Sequence, residues 1–150
     1  MSPDEQQRRF PGVAFGVRLA RRWLTDQLDE GGVEPELCSN AVQVLAELAA
    51  NAAEHTRSGL PGGTFHVRLR VGNTKLRLEV TDQGSDETAP VARRAGPFAT
   101  SGHGLEIVNA LSSQWWTKSH DDGRTVFAEV PHTPDTPPPG FSASVHAGAV

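Results

Sequence analysis

Three short stretches of the 150-residue chain hold groups whose type and spacing could do chemistry: Glu47-Leu-Ala-Ala-Asn51, Asp82-Gln83-Gly84 and Gly102-His103-Gly104. In the first, a carboxylate and an amide stand one helical turn apart and so share a face. Burying either without a partner costs on the order of 2–7 kcal/mol, so the pair faces a partner, a polar cleft or simply an exposed edge. In the second, a carboxylate is followed by a glycine that lets a flat ligand come close to the backbone. Such a carboxylate can accept a hydrogen bond from an exocyclic amine, although Asp-x-Gly is also a common turn. The third offers backbone N–H groups and the positive end of a helix dipole, a natural cradle for phosphate.

The elements that position these groups can be read from periodicity. At about 100° per residue, Leu37, Ala41, Val44, Leu48 and Ala52 form one apolar stripe, with Asn40, Glu47, Asn51 and Glu54 on a narrow polar stripe beside it. The remaining surface is small and apolar (Ala46, Ala49, Ala50, Ala53), which predicts a helix covered on several sides, running from Glu34-Pro35 to about Glu54. An earlier helix is expected over Gly12 to Asp29, stopped by Gly31-Gly32, with Val13, Val17, Ala20, Leu24 and Leu28 as its stripe. Phe15, Leu19 and Trp23 widen its apolar arc, marking either a partner surface or a helix buried on two sides.

Alternation of apolar and polar residues predicts strands over Thr64–Val71 and Lys75–Thr81, joined at Gly72-Asn73, with Asp82 at the end of the second. Arg8–Pro11 is expected as a short strand. From Gln83 to Gly102 the pattern lapses into a long loop, after which a helix runs from Leu105 to about Ser112. Gln114–His120 and Arg124–Val130 form a second hairpin, and one ring of Trp115-Trp116 should join the core while the other meets the surface or an interface. One-sided strands and intervening helices imply an α+β two-layer sandwich and exclude a doubly wound sheet. Residues 1–7 and 132–150 are expected to be disordered, leaving 8–131 as one domain.

A net charge of −4 and a pI near 5.8 disfavour nucleic acid as the main partner. The single cysteine, Cys38, forms no internal disulfide, no apolar run is long enough to span a bilayer, and the remaining histidines (His55, His66, His120, His132, His146) lack metal-ligand spacing. A soluble cytoplasmic protein is expected.

Taken in order, Glu-x-x-x-Asn on a helix, a hairpin, Asp-x-Gly, a long loop, Gly-x-Gly into a helix and Gly123-Arg124-Thr125 resemble the GHKL ATPase superfamily, most closely its anti-sigma-factor serine/threonine kinases. The resemblance spans about residues 8 to 131 and implies a Bergerat-type fold, with helices on one face of a mixed, mainly antiparallel sheet. It implies that Asn51 holds Mg²⁺, that Asp82 binds the adenine amine with Thr125 assisting through water, and that Gly84 admits the ring. Gly102, His103, Gly104 and Leu105 would form the second glycine box around the phosphates of ATP, and Glu47 would be the general base toward a partner's hydroxyl.

Two departures stand out. Asp86 occupies the position where the adenine box normally ends in glycine, and His103 sits where many relatives carry arginine, a charge that Arg93 and Arg94 on the long loop could replace. The expected function is a kinase that phosphorylates an antagonist protein and sequesters a sigma factor, working as a homodimer without membrane or nucleic-acid contacts. The alternative is a nucleotide-binding interaction module without transfer.

Overall fold

The computed structural model describes residues 5–55, 60–84, 104–121 and 123–132. Among these, eight elements follow in the order β1 (Glu5–Pro11), α1 (Ala14–Glu30), α2 (Pro35–His55), β2 (Thr64–Val71), β3 (Lys75–Asp82), α3 (Gly104–Leu111), β4 (Gln114–His120) and β5 (Gly123–Pro131). The strands form one sheet in the order β1-β2-β3-β5-β4. Every neighbouring pair is antiparallel, in keeping with the mainly antiparallel sheet expected. The three helices pack on one face of this sheet, giving the expected α+β two-layer architecture.

The first strand is longer than the sequence suggested. Glu5 to Gln7, expected to be disordered, extend β1 because they pair with Arg68 to Arg70 of β2, and the Glu5 carboxylate accepts a 2.8 Å hydrogen bond from the Arg70 guanidinium. α1 starts two residues later than expected, at Ala14, and ends where Gly32 takes a φ of +72° that most side chains would disfavour. Gly16 lies so close to the Pro11 carbonyl that a side chain there would collide with it, so α1 can turn tightly off the end of β1.

The core lies between sheet and helices. Val17, Ala20, Leu24 and Leu28 of α1, Leu37, Ala41, Val44, Leu48 and Ala52 of α2, and Phe65, Val67, Leu69, Leu76, Leu78 and Val80 of the hairpin are all buried. The wide apolar arc of α1 divides: Trp23 belongs to the core, edge-on to Phe10 at 5.7 Å, while Phe15 (56% exposed) and Leu19 (37%) face outward. The tandem tryptophans divide as expected, Trp115 packing against the core and Trp116 stacking on Phe127 across the outer face at 5.0 Å.

On that outer face the buried Glu129 carboxylate accepts from Lys75 Nζ at 2.9 Å and from Arg77 Nη2 at 3.0 Å. The Lys75 bond, more than the Arg77 one, holds Glu129 below the usual carboxylate range against the opposing effect of burial. Glu129 pairs rather than catalyses.

Because Trp23 fills the core whereas Phe15 does not, Trp23→Ala should cost about 3–5 kcal/mol in urea unfolding and Phe15→Ala less than about 1 kcal/mol. Equal losses would show that α1 does not bury Trp23 in solution.

Candidate functional site

α2 packs against α1 on one side, α3 on the other, and β3 and β5 beneath. Its C-terminal half can bring alanines this close because Ala49, Ala52 and Ala53 are small and buried. Glu47 and Asn51 lie half-buried on the polar stripe between these contacts, one turn apart. Burial pushes the Glu47 carboxyl above its usual range, with no cation or donor among the described residues opposing the shift. A carboxylate of this kind holds a proton more readily than a solvated one.

The connection 56–63 returns from α2 to Thr64, whose N–H donates to Gln83 Oε1 at 2.8 Å. The chain thus comes back beside the end of β3 that carries Asp82. Asp82 continues the inward series Leu76, Leu78, Val80 and is 4% exposed. Its Oδ1 accepts the Gly84 N–H at 2.7 Å, a turn made possible by the Gly84 φ of +79°. Its Oδ2 lies 3.7 Å from Arg124 Nη2. Burial raises the Asp82 pKa, and the Gly84 N–H and the Arg124 charge pull it part of the way back.

Gly123 closes this corner. Its φ is +152°, and a side chain there would run into the Asp82 carbonyl oxygen, so the start of β5 sits directly on the end of β3. Asp82, Gly84, Gly123 and Arg124 are therefore joined by direct contacts.

Thr125 is not part of that corner. The register sets Thr125 opposite Thr81 and Arg124 opposite Asp82, so Thr125 and Asp82 project from opposite faces of the sheet. Thr125 Oγ1 instead shares a 2.8 Å hydrogen bond with Thr81 Oγ1 and lies 3.3 Å from His120 Nε2. The residue expected to assist at Asp82, Thr125, thus lies on the other face of the sheet, and the side chain beside Asp82 is Arg124. The signal was available in the alternation of Val126, Ala128 and Val130, which shares its parity with residue 124.

α3 begins at Gly104, with Val108 buried and Leu105 39% exposed. Its C-terminal end is fixed beside Glu129, whose carbonyl accepts the Ser113 N–H at 2.8 Å. Gly104 is thus the end of the helix that lies away from Glu129. Gly102, His103, Asp86, Arg93 and Arg94 lie outside the described residues.

The fold has counterparts among known proteins. Residues 13–129 match the family described as histidine kinase-like ATPase domain. No curated protein matches the chain. A structure of the RsbU and RsbW domains of Rv1364c from Mycobacterium tuberculosis is similar with a TM-score of 0.61 at 20% identity, covering 89% of this chain and 34% of that one. This chain therefore spans about a third of that relative's length. The SiaB–SiaC complex from Pseudomonas aeruginosa gives a TM-score of 0.63 at 11% identity, covering 83% of this chain and 88% of the other. At such identities the two structures establish likeness of fold, while the family match extends from the start of α1 into β5 and takes in Glu47, Asn51, Asp82 and Gly104. The chain belongs to the histidine kinase-like ATPase domain family.

Proposed function

We propose that the protein binds ATP with Mg²⁺ and transfers the terminal phosphoryl group to a serine or threonine of an antagonist protein, releasing or capturing a sigma factor as it does so. The observation that carries this reading is Glu47, a half-buried carboxylate with a raised proton affinity, standing one turn from Asn51 on the helix packed over β3. Asp82 supplies the acceptor for the adenine amine. Gly84, the Gly104 and Leu105 that open α3, and the Gly102 and His103 that precede them in sequence, would supply the backbone on which ring and phosphates rest.

Among the described residues no three His, Cys, Asp or Glu side chains converge on a metal. The Asn51 amide oxygen is a hard donor that suits Mg²⁺, an ion that keeps several waters and takes its other oxygens from phosphates. When bound, it neutralises phosphate charge. Glu47 accepts the proton of the incoming hydroxyl, and burial matches it to that task by bringing its pKa nearer the working pH.

The single-acceptor chemistry of asparagine tests the base site. In Asp82→Asn the one amide oxygen is needed by the Gly84 N–H, so an NH₂ donor is presented where the adenine amine must donate. ATP affinity should fall about tenfold or more in calorimetric titration. A wild type that gives no heat at millimolar Mg-ATP would remove ATP binding altogether.

Glu47→Gln should leave ATP affinity nearly intact and slow single-turnover transfer to an antagonist by roughly 10²- to 10⁴-fold. The base works only when deprotonated and its pKa is raised. Wild-type transfer should therefore decline on acidification from a pH above the ordinary carboxylate value of about 4.3, and the variant's residual rate should lack that limb. ATP binding with no transfer to any antagonist would favour the interaction module, a reading that the acidic Asp86 supports.

Self-association through the exposed Val13, just before α1, and Phe15 and Leu19 within it completes the proposal, with Trp23 excluded because it lies in the core. Sedimentation at tens of micromolar should show a dimer that Phe15→Glu converts to monomer, and a monomeric wild type would refute it.

A further inference from the structure

Arg124 has no role in the expectations above, and its surroundings give it one. It lies across the ladder from Asp82, on the face turned toward the helices, with its Nη2 3.7 Å from Asp82 Oδ2. That distance is an ion pair but too long for a hydrogen bond, so the Nη2 protons are not used on Oδ2, although the Arg124 backbone N–H also donates to the carboxylate. The Arg124 Nε is buried and has no hydrogen-bond partner among the described residues, although the side chain as a whole is 23% exposed. A buried donor left unsatisfied is costly, and an acceptor arriving beside it removes that cost. The other oxygen of Asp82 is already engaged by Gly84.

The corner thus presents the Asp82 carboxylate, which has more lone pairs than the two backbone N–H groups of Gly84 and Arg124 use, next to the guanidinium donors of Arg124, in a place where Gly123 holds the two strands in contact. Its complement is a flat ring edge on which an amine adjoins an unprotonated ring nitrogen. We propose that Arg124 is a specificity-determining residue of the nucleotide site: Asp82 accepts from the 6-amino group of adenine while the Arg124 guanidinium donates to the neighbouring N1 or N7. Arginine is permanently charged, so this bond is charge-assisted. The inference rests on the nucleotide-binding reading of the same site and adds to it a second contact with the base.

The test is calorimetric titration of the full chain with Mg-ATP, Mg-1-deaza-ATP and Mg-7-deaza-ATP, each analogue lacking one of the two ring acceptors. The wild type should bind one analogue about tenfold or more weakly than ATP. Arg124→Met, which keeps the length of the stem but has no donors, should bind ATP and that analogue equally, at about the wild type's weaker level. If circular dichroism shows Arg124→Met unfolded, Arg124→Lys, which keeps charge but loses the fork, should show the ATP-to-analogue ratio reduced.

A wild type that binds all three nucleotides equally, or a folded variant that keeps the full ratio, overturns the role of Arg124 and leaves ATP binding standing. A wild type that binds none of the three overturns the nucleotide site and this role together.

Discussion

A helix in contact with a sheet below and a helix on either side can come close to its neighbours only if its side chains are small. α2 meets that condition, with Ala41, Ala49, Ala52 and Ala53 buried among larger leucines and valines. Close packing of this kind leaves few positions where a polar group can reach solvent or a ligand, and Glu47 and Asn51 occupy two of them. Their partial burial raises the proton affinity of the carboxylate. The rest of the chain can be understood as what covers α2: β3 and β5 beneath it, α1 and α3 beside it, and at the end of β3 a second buried carboxylate, Asp82.

The two carboxylates are in different circumstances. Glu47 is raised by desolvation alone, whereas Asp82 is raised by deeper burial and then drawn back by a backbone N–H and a guanidinium. A group that only loses solvent is suited to exchanging a proton. One that is held by donors is suited to staying charged and accepting hydrogen bonds. The same fold therefore sets the two carboxylates in different electrostatic surroundings, one desolvated and one held by donors.

Much of this was legible in the sequence because the strands are buried on one face only. Phe65, Val67 and Leu69 alternate with polar residues cleanly enough to fix β2 at Thr64–Val71, and the polar stripe on α2 identified Glu47 and Asn51. What escaped depended on partners distant in the chain. Glu5 to Gln7 look like a polar terminus until Arg68 to Arg70 are placed beside them, and Trp23 looks like surplus surface until Phe10 meets it. Thr125 was assigned by its resemblance to a motif. The pleat decides otherwise, because side chains alternate and a one-residue difference moves a group to the other face.

The pairing of β1 with β2 also bears on how the chain assembles. Glu5 and Arg70 are 65 residues apart in sequence, so β1 leaves the ribosome with nothing to pair with until two helices and most of β2 have followed. α1 and α2, neighbours in sequence and in space, can hide their apolar stripes against each other in the meantime. The seven residues Glu5–Pro11 then cover the hydrogen-bonding edge of β2 and become an edge of the sheet themselves. Until they dock, the uncovered edge of β2 is a template for strand addition from another copy.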